Sequence, residues 1–279
     1  MAGIITASNI SGSLDAKNIA LGVQKKMIEL SNLAELCGKA EVPELTATIP
    51  VQSVMAGTED LREMEGADIE GSDFTYVSFD LKKDRIKVAR SDESRFKSRA
   101  GDPLALQIDA AAMRLAAILD KKVVTAMQTS PQTASTAAIW STATNNPMVD
   151  IARAVAAVRP YKADFIIMPS AVWAKYVSND YTKNYWTGNP DAASQAVATI
   201  PGLGLKVYIN ENVTAKSCLI GASNIGAVLG QGPIVTRDWD DPKGAHIYQI
   251  DNFRQVVAPI MKNSSSLNMA VYQTTAVIA

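Results

Sequence analysis

The sequence predicts an α+β fold: an N-terminal arm, a charged extended hairpin, one long helix, and a compact body of short helices and strands. Three observations predict it. The stretch DPLALQIDAAAMRLAAILDKKVVTAMQ, residues 102–128, carries helix signals and no internal breaker. Residues 59–90 divide into an acidic half and a basic, alternating half. Residues 148–278 alternate helical patterns with short β-like runs, as in a body where helices cover a sheet.

Residues 1–15 are small and polar and read as an arm. From Ala16 to Leu36, the residues Ile19, Val23, Met27, Leu30 and Leu33 recur at helical steps, with Gly38 as the stop. Pro43–Met55 is rich in Thr, Val and Ile and reads as extended. Between Glu59 and Asp73 lie seven acids, Glu59, Asp60, Glu63, Glu65, Asp68, Glu70 and Asp73, against the single base Arg62. Phe74–Leu81 then alternates, with Val77, Phe79 and Leu81 on one face. Arg85–Arg90 alternates again, so the two runs read as strands around a turn at Lys82-Lys83-Asp84. Taken singly, these charges form a solvated surface, and an exposed pair is worth under about 1 kcal/mol. A long edge with acid on one limb and base on the other suits docking on a neighbouring copy, with charge complementarity setting the register. Glu63, Glu65, Asp68, Glu70, Lys82, Lys83, Arg85, Lys87 and Arg90 are therefore the candidate intersubunit contacts.

The long helix follows Ser91–Ala100. Asp102 suits the N-cap and Pro103 the first helical position. The following residues favour helix, and the whole would run roughly 40 Å at 1.5 Å per residue. Gln107, Arg114, Lys121 and Gln128 form one polar line, while Leu104, Ile108, Leu115, Ile118, Leu119 and Met127 fill other faces. Thr129–Pro147, with Trp140 inside it, reads as a loop or edge hairpin. Met148–Val158 is a helix, Ala163–Met168 a buried strand, and Pro169-Ser170 opens a second helix. Ser178–Pro190 is an aromatic, polar loop, which reads as self-packing or packed on a neighbour because no basic surround accompanies it. Ile200–Gly204 is a turn before the strand LKVYIN. Short strands follow at 218–221, 225–229, 234–237, 246–250 and 253–257, and a last one at 267–278.

Composition excludes several functions. The net charge of −1 leaves no overall basic footprint for nucleic acid, although it is compatible with a container for it. Cys37 and Cys218 lie far apart and read as buried or free thiols in a reducing compartment. No basic stretch precedes an apolar core at the N-terminus, and no run approaches 18 apolar residues, so the expectation is a soluble, intracellularly made protein without a membrane partner. His246 is the only histidine and reads as a strand residue, and no GxSxG elbow accompanies it. No His or Cys cluster offers a metal site. Gly221–Gly226 has P-loop spacing, yet Ala227-Val228 stands where the phosphate-binding Lys and Ser/Thr are required. The expectation is no enzyme, no cofactor and no metal.

The order of these elements, with particular residues, resembles the major capsid proteins of tailed phages and related viruses, the Hong Kong 97-type fold. Met64-Glu65-Gly66-Ala67 followed by FTYVSFDLKKDRIKVARSDE is similar to the family's extended loop. DPLALQIDAAAMRLAAILDKKVVTAM is similar to its spine helix, ADFIIMPSAVWAKYV to the axial domain's strand and helix, and IPGLGLKVYINENV with CLIGASNIGAVL to the late turn, strand and loop. The resemblance runs from about residue 40 to the end and rests on order and pattern, not on one signature.

The resemblance implies a division into an N-terminal arm with an amphipathic helix (1–43), an extended loop (44–92), a peripheral domain with the spine helix (93–147), an axial domain (148–257) and a return strand to the peripheral domain (258–279). It also implies a shell subunit. Copies would form hexamers and pentamers of an icosahedral capsid enclosing double-stranded DNA without sequence-specific binding. The subunit would assemble in the host cytoplasm, with a portal and decoration proteins as further partners. About 40 residues precede the loop, so the expectation is a separate scaffolding protein or an already processed chain. In some relatives a loop lysine forms an isopeptide with an asparagine of a second subunit; Lys82 and Lys83 are the candidates here, and nothing selects between them. Two alternatives stand beside this reading: an encapsulin-like compartment holding protein cargo, and an α/β enzyme using the loop at 221–226.

Overall fold

The computed structural model describes residues 16–42, 44–52, 74–91, 103–135, 139–142, 145–183, 198–200, 202–259 and 267–278. The elements run α1 (Ala16–Leu30), a 3₁₀ turn (Ala34–Leu36), β1 (Gly38–Glu41), β2 (Thr46–Gln52), β3 (Phe74–Asp80), β4 (Lys82–Ser91) and α2 (Pro103–Met127). Then come β5 (Pro131–Ser135), α3 (Pro147–Ala157), β6 (Phe165–Met168), α4 (Ser170–Ser178) and β7 (Ala198–Ile200). β8 (Leu205–Ile209), β9 (Cys218–Gly221), β10 (Val228–Asp241), β11 (Ala245–Val257) and β12 (Asn268–Thr275) close the chain. The strands form a sheet ordered β1-β10-β11-β4, a sheet ordered β5-β12-β9-β6-β8-β7, and the ribbon β2-β3.

The long helix α2 lies between both larger sheets. Leu115, Leu119, Val123 and Met127 bury against Phe165, Ile167, Leu219 and Val271 of the six-stranded sheet. Val88, Tyr248 and Ile250 of the four-stranded sheet belong to the same cluster, as do Val23 and Met27 of α1. The run Phe165–Met168 is unbroken because β6 is covered on both faces. Phe165 and Ile167 point to α2, while Ile166 and Met168 join Trp140, Ile151, Trp173 and Tyr176 beneath α3 and α4. Fully burying one such side chain is worth about 1.5–3 kcal/mol, so this two-sided packing is the main support of the body. The polar line is also in place: Gln107, Arg114 and Lys121 are exposed and Gln128 is half-buried.

Several expectations are corrected. Phe74–Leu81 and Lys82–Arg90 are strands, but they do not form a hairpin together. β3 pairs with β2 from Thr46↔Asp80 to Gln52↔Phe74. β4 pairs with β11 from Ala245↔Ser91 to Arg254↔Lys82. Only Leu81 separates β3 from β4. Lys82-Lys83-Asp84 offers no Gly, Asn or Pro to reverse the chain. Phe79 and Leu81 instead bury beside Gly230 and Gly232 of β10. A Cβ there would come within 2.7 Å of Phe79 Cδ1 and 2.5 Å of Leu81 Cδ1, respectively.

The first helix ends at Leu30, not Leu36, and Leu30 is exposed. The cause is Asp120 of α2. Its carboxylate accepts from Ser31 Oγ (2.6 Å) and Leu33 N (3.4 Å), drawing the chain out of the helix into the 3₁₀ turn. Gly38 opens β1 instead of ending a helix; a Cβ there would lie 2.4 Å from the Asn224 carbonyl oxygen. The short strands expected between 225 and 257 are two long ones, β10 and β11, with a register shift between Gln231 and Ile234 that absorbs Gly232-Pro233. Thr129–Pro147 contains β5, which lies parallel to β12 and is no hairpin limb. The arm, the acidic run, Asp102 and most of the aromatic loop lie outside the described residues.

Candidate assembly surface

The basic limb is the edge strand β4, and its alternation sends its charges to different places. Lys83, Arg85 and Lys87 share one face of the sheet. Arg85 is committed within the subunit: Nε donates to Asp251 Oδ1 at 2.7 Å and Nη2 to Asp251 Oδ2 at 3.1 Å. Gln249 Nε2 donates to the same carboxylate at 3.0 Å. The Arg85 hydrogen bonds hold Asp251 below the usual carboxylate range, and the carboxylate raises Arg85 in turn. Lys87 Nζ lies 5.4 Å from the ring centroid of Trp239 on β10. This partly exposed cation–π contact ties a second charge to its own sheet. Arg90 pairs in register with His246. Glu63, Glu65, Asp68 and Glu70 lie outside the described residues.

Lys82 goes elsewhere. It lines a groove of about 760 Å³ together with Arg114, Lys121 and Lys122 of α2 and Arg254 of β11. Thr125, Thr129, Asn212 and Gln255 add neutral polar groups, and none of the described lining residues is acidic. Arg254 is buried. Its Nη1 approaches Met27 Sδ at 2.8 Å, and burial lowers its guanidinium to about 10 despite the opposing pull of Asp84. Lys122 is partly neutralised by Asp84, at 2.5 Å, and also reaches the Arg254 carbonyl at 3.4 Å. The groove is therefore a concave cationic surface with a buried arginine behind it. Such a surface favours an anionic occupant through focused charge. Sequence reasoning brought Lys82 here without its companions. The signal for two of them was the seven-residue spacing of Arg114 and Lys121. Nothing local pointed to Arg254, which β11 delivers from the far end of the chain.

Other features read from the sequence have structural explanations. His246 sits on β11. A Cβ at Gly221 would lie 2.7 Å from Phe165 Cζ, and one at Gly226 would lie 2.9 Å from Val271 Cγ2, so close packing accounts for both glycines. Ser223 N donates to Asp164 Oδ1 at 2.8 Å, which places a carboxylate where a phosphate loop would need an anion-free amide. Cys37 and Cys218 are free and buried, and burial pushes both thiols up to about 12, away from reactivity.

No family model matches the chain, and no curated protein matches it by sequence. Solved structures do match. The capsid of a native GTA particle aligns over 88% of this chain and 89% of its own at 14% identity, with a TM-score of 0.65. A phage-related protein from Bordetella bronchiseptica RB50 aligns over 93% and 96% at 11% identity, with a TM-score of 0.64. This chain has the Hong Kong 97-type capsid fold. The holo-SrpI encapsulin of Synechococcus elongatus PCC 7942 shares that fold over 88% of this chain and 87% of its own, at 12% identity and a TM-score of 0.61. Within the Hong Kong 97-type fold of this chain, the two-stranded ribbon is β2–β3. The basic strand β4 belongs to the sheet behind α2, and Lys82 and Lys83 stand where the ribbon joins it.

Proposed function

We propose that this protein is a major capsid protein that assembles through hexamers and pentamers into an icosahedral shell around double-stranded DNA. The carrying observation is the extent of the match: a phage-related protein and a particle capsid align over 96% and 89% of their own lengths, leaving little of either chain without a counterpart here. On this reading β2–β3 and the residues between them are the extended loop. Sheet membership supports a division that differs from the one expected from the sequence: β10 and β11, expected in the axial domain at 148–257, go with β4 and α2 to the peripheral domain, and β5 and β12, expected in the peripheral domain, go with β6 to β9, α3 and α4 to the axial domain. The cationic groove receives the acidic run at 59–73 of a neighbouring copy, so one subunit supplies the acids and the next the bases. Scaffolding, portal and decoration proteins are the expected partners, and the virion is the expected location, reached from the host cytoplasm. The protein has no catalytic role in this reading.

The test is negative-stain microscopy and size-exclusion chromatography of the purified chain across salt concentrations, followed by nuclease and protease protection of what is inside. Closed shells or rings of five and six, with protected DNA in particles from infected cells, are expected. A chain that remains monomeric at every salt concentration, and also when coexpressed with its genomic neighbours, would overturn the shell reading. The encapsulin match supports one second reading, a compartment with protein cargo. Shells that protect a co-purifying protein and no nucleic acid would establish it instead.

A further inference from the structure

Arg254 lines the cationic groove and is only 4% exposed, yet among the described residues no carboxylate pairs with its guanidinium. Its polar contact is the Met27 thioether, a weak acceptor. Asp84 acts on it from a distance but is engaged with Lys122 at 2.5 Å. A buried guanidinium in these surroundings is stabilised by any anion brought against it. Lys82, Arg114 and Lys121 line the same groove, are exposed, and have no ion pair among the described residues.

The neutral donors of the groove are already spent. Thr125 Oγ1 donates to the Lys121 carbonyl at 2.8 Å, Thr129 Oγ1 to the Thr125 carbonyl at 3.0 Å, and Asn212 Nδ2 to Asn210 Oδ1 at 2.8 Å. Recognition therefore falls to the cations and selects for charge density. A terminal phosphate group brings up to about two charges and three strong acceptor oxygens, where a carboxylate brings one charge and two oxygens. Arg114 and Lys121 stand about 10 Å apart along α2 at 1.5 Å per residue, a span that suits a short phosphate chain better than a single phosphate. The carbonyl end of α2, near Thr129, disfavours an anion and leaves the stretch beside Lys82, Arg114, Lys121 and Arg254 as its place. No aromatic side chain lines the groove among the described residues, so a nucleobase finds no stacking platform.

We propose that this groove is an oligophosphate site, in which a linear chain of phosphates lies along α2 between Arg114 and Lys121 and turns one end to Lys82 and Arg254. The site reads the phosphates alone, so an inorganic chain and the triphosphate of a nucleotide are equivalent ligands. The binding is a property of the single subunit. Its consequence rests on the reading that a neighbouring copy docks its acidic run in the same groove: an occupied groove excludes that run, and association then answers to the concentration of oligophosphate.

The test is titration calorimetry of the full-length protein with inorganic tripolyphosphate in about 0.15 M NaCl. One saturable site per chain is expected, binding tripolyphosphate about tenfold or more tighter than orthophosphate, with ATP within about threefold of tripolyphosphate. Arg114→Gln with Lys121→Gln should weaken binding about tenfold or more, and Lys83→Gln with Lys87→Gln, on the other face of the sheet, should leave it unchanged. Arg254→Lys keeps the charge and loses the fork, and should weaken binding about threefold with circular dichroism unaltered. Tripolyphosphate that binds no tighter than orthophosphate, or that binds the Arg114/Lys121 variant as it binds the wild type, would overturn the site. A short DNA duplex that displaces tripolyphosphate at equal phosphate concentration would overturn it too, in favour of a nucleic-acid contact. A synthetic peptide of residues 59–73 separates this inference from the docking reading. Peptide binding without tripolyphosphate binding sinks the oligophosphate site alone, and tripolyphosphate binding that the peptide fails to displace sinks the docking of the acidic run alone.

Discussion

At the scale of single residues, two carboxylates in this protein are pushed in opposite directions. Asp251 is held below its ordinary value by the hydrogen bonds from Arg85. A depressed carboxylate contributes stability that is present above its unfolded value and lost as pH falls through the folded one. The window lies below about pH 4, where unpaired carboxylates titrate. Arg85→Met should therefore lower Tm at neutral pH and make the acid limb of the Tm–pH curve shallower. Thermal melts from pH 7 to pH 2.5 check this, and an unaltered acid limb would remove Arg85 from the role. Asp120 behaves in the reverse sense. Burial raises it, although Ser31 and the backbone amides of Asn32 and Leu33 pull it down. Its folded form binds the proton more tightly than the unfolded chain, so its contribution declines as pH rises from about 4 through the raised value. Asp120→Ala should cost about 1–2 kcal/mol, because Ser31 and Leu33 lose their acceptor. Asp120→Asn keeps an acceptor oxygen and should chiefly flatten the dependence of the urea midpoint between pH 4 and pH 7.

At the scale of elements, the strands and helices were largely legible and their partners were not. Alternation at Val77, Phe79 and Leu81 is a local signal, and the structure buries all three. The pairing of β4 is decided by β11, which joins Arg85 to Asp251 across 166 residues. No window of sequence contains both. The absence of a Gly, Asn or Pro at 82–84 was the available clue that the chain runs on instead of folding back. The end of the first helix was misread for a related reason. Leu33 fits the helical spacing, but Asp120, 87 positions away, accepts from Ser31 Oγ and Leu33 N and the helix stops at Leu30. The long helix was legible because its own composition and one dense apolar arc define it. The cationic groove was only partly so, because it draws on three separate elements. Gly38 illustrates a constraint that sequence conceals. It looks like a helix stop, whereas it allows β1 to pass the loop before β10. Gly38→Ala would put a Cβ against the rigid Asn224 carbonyl and should destabilise by about 1–3 kcal/mol. Denaturant titration measures it; a neutral substitution would mean that the loop at 222–227 yields easily.

At the scale of the whole molecule, assembly should answer to the groove more than to the strand first singled out. Lys82, Arg114 and Lys121 line the groove without an ion pair among the described residues, whereas Arg85 is engaged with Asp251. The double variant Arg114→Glu with Lys121→Glu should leave circular dichroism and Tm near wild type and lower the yield of shells about tenfold or more. Charge reversal of Lys83 and Lys87 should have the smaller effect. Light scattering during assembly distinguishes the two, and equal losses would point to a nonspecific effect of net charge. Raising salt from 0.05 to 0.5 M should slow wild-type association, since exposed charges are screened over roughly 10 Å at 0.1 M.

The single residue between β3 and β4 has a mechanical consequence. Tension on the two-stranded ribbon enters the four-stranded sheet at the end of β4, with only Leu81 to absorb it. β4 is held to β11 by ten register pairs, whose hydrogen bonds lie across the strand. A pull along β4 is resisted by all of them in shear, not one after another as in unzipping. If the ribbon grips a neighbour, strain between the two copies is delivered to the edge strand with the most register pairs among the described residues.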